Sequence, residues 1–445
     1  MWIYIALATL LGIILLIIAK KTFAYFYLFT LYLTEFYWLN LWSGILKPFH
    51  LLSAFLFVIY SFLRLVRLNS KLLLSFILFF AFQGIYVLLI GLPFEESRTL
   101  LLYATLLTIS INIFFLLRAG ALTEETLLKI TLYSIIIIEI VGGLQYFGWR
   151  IFSLNLAFTE SQKLQLSIAH RYSSFFTEAD NCGKFLTYAQ LIVFPALLSR
   201  KMKSSIILIG VIMILFFLNM TRTAIGSFIL ALTTGYLFLN IASKSQQTSH
   251  LRRILWVSFL SILILLFVLS FTDLGIIFQQ RIMSLLNIKE TFERDPALYP
   301  RIESLITPIN IILSSDFTTM FFGKGWGKAY MTSYGSVKGS SNIFSTFLYF
   351  SGIVGLIFII FVFAYSIRIT LKAINKKVHP ELATGTFLAL LASIYMGLVS
   401  SNIIAPEFWV LIGIVAYLER ELKRTQINYI SSTAKTKIHE NPHHS

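Results

Sequence analysis

The sequence predicts an all-α protein, a polytopic transmembrane helix bundle of about 12–14 spans with a large, partly helical outer loop. Three observations predict it. The chain of 445 residues is 57% hydrophobic and only 13% charged, with a mean hydropathy of +0.81. Its apolar residues gather into about thirteen stretches of membrane-crossing length. The longest polar interruption is one loop of about 68 residues, roughly 273–340, and a bundle that keeps such a loop commonly uses it. In lipid a helix satisfies its own backbone, so few other folds are open to this composition.

Taken in order, the spans fall at approximately 2–19, 23–45, 49–66, 72–91, 99–117, 126–148, 185–199, 204–219, 224–240, 254–272, 342–366, 382–400 and 404–419. The first resembles a signal peptide in hydrophobicity. It lacks a basic start and a small-residue cleavage site, so it reads as an uncleaved span. Glu35 and Glu139 lie within spans, where carboxylates are often functional. Glu139 sits deep enough to bond a neighbouring helix.

Two outer loops are long, 149–184 and 273–340. In the second, residues 274–287 form an amphipathic pattern, and 301–312 repeats helical spacing with Ile302, Leu305, Ile306 and Ile309. Such helices are expected to lie along the membrane surface and cap the bundle. A glycine-rich turn follows, Phe322-Gly323-Lys324-Gly325-Trp326-Gly327-Lys328. It is no Walker A loop, because Ala329 follows Lys328 where Ser or Thr is needed. It reads as a flexible chain reversal. Residues 1–420 form a single transmembrane domain, and the polar tail 421–445 reads as a disordered cytoplasmic segment.

The net charge is +16. In a soluble protein that would point to nucleic acid. Here most of the 36 lysines and arginines fall on alternate connections, from Lys20-Lys21 to the tail. The rule that positive loops stay inside makes those connections cytoplasmic. The remaining cations lie outside, against the rule. They include Arg150, Lys163, Arg171, Lys184, Arg222, Arg281, Arg301, Lys324 and Lys328. They read either as solvated loop charge or as a site for an anionic substrate such as a pyrophosphate. Cys182 is the one cysteine, so no internal disulfide forms. The histidines show no metal spacing, and no Asp-x-Asp pair is present.

Four constellations carry candidate chemistry. The strongest runs from His170-Arg171 through Glu178-Ala179-Asp180-Asn181 to Lys184. An arginine there can grip phosphate with a planar fork, and Glu178 or Asp180 can serve as a base. The competing reading is an interfacial loop with a local ion pair. Asn219-Met220-Thr221-Arg222-Thr223-Ala224 is a tight outer turn whose arginine either binds substrate or snorkels to headgroups. Arg301 opens a surface helix. Ser341-Asn342 opens the span after the big loop, where Asn342 can cap the helix and free N–H groups can receive an oxygen.

Together these pieces resemble the superfamily of O-antigen polymerases and O-antigen ligases, polytopic membrane glycosyltransferases. Residues 171–185 are similar to that family's Arg-x-Ser-Gly-x-Phe-x-Glu/Asn-Pro-Asn segment, with Ser174 in place of its Gly and Ala179-Asp180 in place of its Pro region. Thr221-Arg222-Thr223-Ala224 looks like the family's Arg-containing turn. Arg281, Arg301 and Phe322-Gly323-Lys324-Gly325 resemble its loop arginines and Gly-x-Gly. Ser341-Asn342 and Gly352-Ile353-Val354-Gly355 resemble its closing segment. Ligases carry a His immediately before the Asn. Ser341 stands there, which argues for a Wzy-type polymerase rather than ligation to a lipid A core.

The resemblance implies a GT-C-like architecture in a bacterial cytoplasmic (inner) membrane, with the site facing the periplasm. It implies transfer of a glycan on undecaprenyl pyrophosphate onto a lipid-linked repeat unit, with inversion, building O-antigen, capsule or a related polysaccharide. Arg171, Arg222 and Arg301 would neutralise the leaving pyrophosphate, with Arg281 in reserve. Glu178, then Asp180, would take the acceptor's proton. Ser341, Asn342 and Asn181 would orient substrate oxygens. No cofactor, metal or nucleic acid is implied. The partners implied are the lipid-linked donor and acceptor, membrane lipids, and the chain-length regulator and flippase of such a pathway. A lipid-linked oligosaccharide flippase is the rival of a different class. It would want cations through the core and internal repeats, and neither is seen.

Overall fold

The computed structural model describes residues 20–32, 52–58, 68–158, 160–167, 171–176, 178–199, 203–219, 221–242, 247–270, 298–326, 328–332, 335–337, 342–399 and 405–440. They form a helical bundle. Its helices are α1 Lys20–Tyr32, α2 Lys71–Leu89, α3 Phe94–Arg118, α4 Glu124–Phe152, α5 Glu160–Ser167, α6 Ala179–Ser199 and α7 Lys203–Leu218. There follow α8 Arg222–Ala242, α9 Gln247–Ser270, α10 Leu298–Leu313, α11 Phe317–Phe322, α12 Ile343–Asn375, α13 Pro380–Val399 and α14 Pro406–Glu440. A small antiparallel hairpin, β1 Tyr330–Thr332 with β2 Gly335–Val337, pairs Met331 with Ser336.

Among the described residues, 7 helices are long and apolar enough to cross a membrane, judged by length and composition: α2, α3, α4, α6, α8, α12 and α13. The predicted span 2–19 and much of 23–45 and 49–66, with Glu35, lie outside the described residues. So does the predicted helix 274–287.

Close helix contacts depend on small residues, as lipid-embedded bundles require. Gly385 of α13 lies against the backbone of Ile192 in α6, where an added Cβ would come within 2.4 Å of the carbonyl oxygen. Gly413 of α14 meets Ser110 and Ile113 of α3 in the same way. Tyr188 of α6 accepts a hydrogen bond from Ser393 of α13 at 2.8 Å. These contacts make α6 and α13 the most enclosed of the seven.

Polar contacts tie the helices at one end. Glu419 of α14 is buried and accepts from Ser70 Oγ at 2.7 Å, Lys71 N at 3.1 Å and Tyr365 Oη at 3.0 Å. It thereby satisfies donors at the start of α2. At the same end His379 Nδ1 meets Glu124 Oε2 at 2.6 Å.

Three expectations are corrected. The span expected at 185 begins at Ala179, because Asp180 and Lys184 form an i,i+4 ion pair that supports another helical turn. The tail from 421 is not disordered: α14 continues to Glu440. Its first tail turn is anchored by buried Leu422 and by the pairs of Glu419 with Lys423 and Glu421 with Arg420. Finally, α10 buries Ser304, Pro308 and Ile312, while of the predicted residues Ile302, Leu305 and Ile309 are half-buried and Ile306 is exposed.

Candidate functional site

The other end of the bundle gathers Arg171, Glu178, Asp180, Asn181, Arg222 and Asn342. The loop 171–176 enters it as irregular backbone, and buried backbone groups need partners. Tyr172 is fully buried, with its ring on Gly142 of α4, where a Cβ would come within 2.2 Å of a ring carbon. Its hydroxyl donates to Leu215 O at 2.9 Å. Ser174 has φ +52°, a left-handed conformation that L residues seldom adopt. Two glutamines hold it there. Gln145 of α4 accepts from Ser174 N at 2.8 Å and donates to Ser174 O at 3.1 Å. Gln162 of α5 donates to Ser174 O at 3.0 Å and Phe176 O at 2.6 Å.

The α7–α8 turn is sewn to this loop. Asn219 Nδ2 donates to Tyr172 O at 2.8 Å, and Thr221 Oγ1 donates to Ala179 O at 3.1 Å. Thr221 shares that one hydroxyl proton with Asn219 Oδ1, which fixes the amide's orientation. Gly183 leaves room for these side chains. Arg171 and Arg222 each sit one residue from these bonds. The structure thus brings both to one end of the bundle, each half-buried.

The carboxylates differ. Glu178 is exposed. Asp180 pairs with Lys184 at 2.7 Å, and the Lys184 side chain is 10% exposed. Asp180 and Asn181 lie in the first turn of α6, not in a loop before it. Deeper in the same pair of helices, Gln190 Nε2 donates to Glu139 Oε1 at 3.0 Å. Glu139 does bond a neighbouring helix, as its position predicts.

Asn342 caps α12. Its Oδ1 accepts from Phe344 N at 2.7 Å and Ser345 N at 3.1 Å, and its Nδ2 donates to Leu398 O at 2.7 Å. The predicted cap is therefore present. Its amide is committed on both faces, to α12 and to the end of α13. Arg301 lies in the first turns of α10, which packs on α12. Arg281 and Ser341 lie outside the described residues.

The glycine turn is not a flexible reversal. It is a plug set into a break in α12. Gly352 has φ +63° and ψ −158°, which interrupts that helix. Carbonyls at the break take new donors: Lys324 N bonds Tyr349 O at 2.9 Å and Gly325 N bonds Phe350 O at 3.2 Å. A Cβ on Gly323 would lie 2.3 Å from the Phe350 carbonyl carbon, and one on Gly352 would lie 2.3 Å from that of Phe321. Trp326 is fully buried and donates to Ser351 Oγ at 2.7 Å. Its ring packs edge-on against Tyr103 and Phe347. Asp316 caps α11, and its bonds from Thr319 N and Oγ1 hold its carboxyl below the usual range.

Sequence reasoning missed Gln145, Gln162 and Trp326 as positioning residues. A signal existed for the first: Gln145 is polar, in an apolar span, just after Gly142-Gly143. No protein-family model and no curated protein matches this chain.

Proposed function

We propose that this chain is a Wzy-like polymerase of a bacterial inner membrane, with its site on the periplasmic face. It would join oligosaccharide repeat units carried on undecaprenyl pyrophosphate. The observation that carries the reading is the pairing of two arginine-bearing segments. Asn219 and Thr221 bind the 171–179 chain directly, so Arg171 and Arg222 share one end with the exposed carboxylate of Glu178. Left-handed Ser174, where the family pattern has glycine, supports the same reading.

In this scheme the acceptor sugar hydroxyl attacks the donor's anomeric carbon from the face opposite the pyrophosphate. The carbon–oxygen bond to pyrophosphate breaks, a glycosidic bond forms, and undecaprenyl pyrophosphate leaves. Arg171 and Arg222, with Arg301, offset the charge growing on the leaving group. Glu178 takes the hydroxyl proton. Asp180 stands second because it is already engaged in the ion pair with Lys184. Asn342 acts by fixing the start of α12, and Ser341 and Asn181 would orient substrate oxygens.

The test is reconstitution of the purified protein with a lipid-pyrophosphate-linked repeat unit and no other enzyme. A ladder on a gel is expected. Arg171→Ala and Arg222→Ala should each lower the rate roughly 100- to 1,000-fold while the protein stays in the membrane. Arg→Lys should fail in part, since a point charge does not reproduce the fork. Normal ladders from both alanine variants would remove the site assignment. Substrate crossing the vesicle membrane without a ladder would replace the polymerase by a flippase.

A further inference from the structure

We propose that a groove at the opposite end of the bundle, between the start of α2 and the exposed continuation of α14, is a binding site for an anionic phospholipid. The groove has a volume of about 520 Å³, within the roughly 300–1,000 Å³ of small-molecule sites. Four cations line it: Lys71, Arg420, Lys423 and Arg424. Two carboxylates answer them. Glu419 pairs with Lys423 at 2.7 Å, and Glu421 lies 3.0 Å from Arg420 and 3.8 Å from Arg424. Among the described residues two positive charges remain in excess. The donors at the start of α2 are already taken by Glu419, so the attraction comes from side-chain charge rather than from the helix end.

The apolar surface supplies the second half of the ligand. Leu74 and Ile427 line the groove and are 47% and 66% exposed. From Leu74 the exposed apolar surface runs on along α2 through Leu78, Phe82 and Ile85. Their helical spacing puts them on one stripe about 16 Å long. An anion at one end and a hydrocarbon chain at the other is the chemistry of a phospholipid. A free phosphate would leave the stripe unused, and a zwitterionic lipid would leave the charge unanswered. Lys71 opens a candidate spanning helix, which is the level of lipid headgroups, where basic pockets between helices hold them. The exposed side chains of Lys71 and Arg424 are the ones placed to reach the phosphodiester.

This lipid site is separate from the candidate chemistry at the other end of the bundle. Its test is a lipid titration of the full-length protein in nonionic detergent, read by native mass spectrometry. Phosphatidylglycerol and phosphatidylcholine of equal chain length are compared, with glycerol phosphate as the soluble anion. Phosphatidylglycerol should bind preferentially, and added salt should weaken it. The double variant Lys71→Gln/Arg424→Gln should lose roughly 30-fold in affinity, and Lys71→Arg/Arg424→Lys should keep most of it. Both positions are exposed, so the fold should persist, checked by circular dichroism. Equal retention of the two lipids, or undiminished binding by the double variant, would overturn the site. Glycerol phosphate binding as tightly as the lipid would overturn the lipid assignment.

Discussion

The loop 171–176 and the plug 323–326 both carry irregular backbone into the bundle, and they are held by opposite means. The loop hangs on side chains from elsewhere: Gln145, Gln162 and Asn219 grip its carbonyls and one of its N–H groups. The plug bonds backbone to backbone, Lys324 and Gly325 to Tyr349 and Phe350. Side-chain grips can be removed one at a time, and each loss re-aims the loop by a little. A backbone clasp has no room for partial change, because glycine on both sides is what allows the approach. The candidate arginines belong to the adjustable side of this contrast.

The largest expected effect breaks the clasp. Gly352→Val would force a side chain into Phe321 in a left-handed conformation. It should cost about 2–5 kcal/mol, seen as a lower thermal midpoint in detergent and less protein in the membrane. A midpoint equal to wild type would show that the clasp is not needed.

Next comes the grip. Gln145→Leu removes two bonds to Ser174 and should cost about 1–3 kcal/mol. The protein should still reach the membrane, and under the proposed function polymer synthesis should fall more than stability does. Equal falls in both would make the loop a structural strap. Smaller still is Ser174→Gly, which relieves a left-handed serine and should stabilise by roughly 0.5–1 kcal/mol. A glycine lost from the plug thus destabilises, and a glycine gained in the loop stabilises, because both positions are left-handed.

The smallest effect touches neither segment. The bond from Glu124 raises the affinity of His379 for its proton above the ordinary value of 6.5, helped by the charges of Glu124, Glu421 and Glu381. A raised histidine stabilises below 6.5, and that contribution is lost as pH rises through the folded value. Thermal midpoints measured across that range should fall in the wild type, and His379→Asn should flatten the fall. Parallel profiles would assign the pH dependence to another group.

Much of this contrast was legible in the chain. Hydropathy located the seven candidate spanning helices, because lipid leaves a buried helix few alternatives, whereas α7, α9 and α14, also read as spans, are not among them. Asn342 read as a cap because its amide suits that position. The motifs Gly323-Lys324-Gly325 and Gly352 were both visible, but nothing local joins them. Their contact is made by folding, so the turn read as flexible. Gln145 and Gln162 were silent for the same reason: a glutamine's partner is a carbonyl far along the chain. The early start of α6 was hidden by polar residues that looked like loop until Asp180 met Lys184.

The plug has one more consequence, for length. Trp326 is moored to Ser351, and Asn342 is moored to Leu398. The chain between Trp326 and Asn342 is therefore an arch with both feet fixed in the bundle. Lengthening such an arch costs little, about 0.6 kcal/mol for each doubling, and leaves the footings alone. That stretch, which includes the hairpin at Met331 and Ser336, is where foreign residues can be spliced in to change what the arch spans without rebuilding what it stands on.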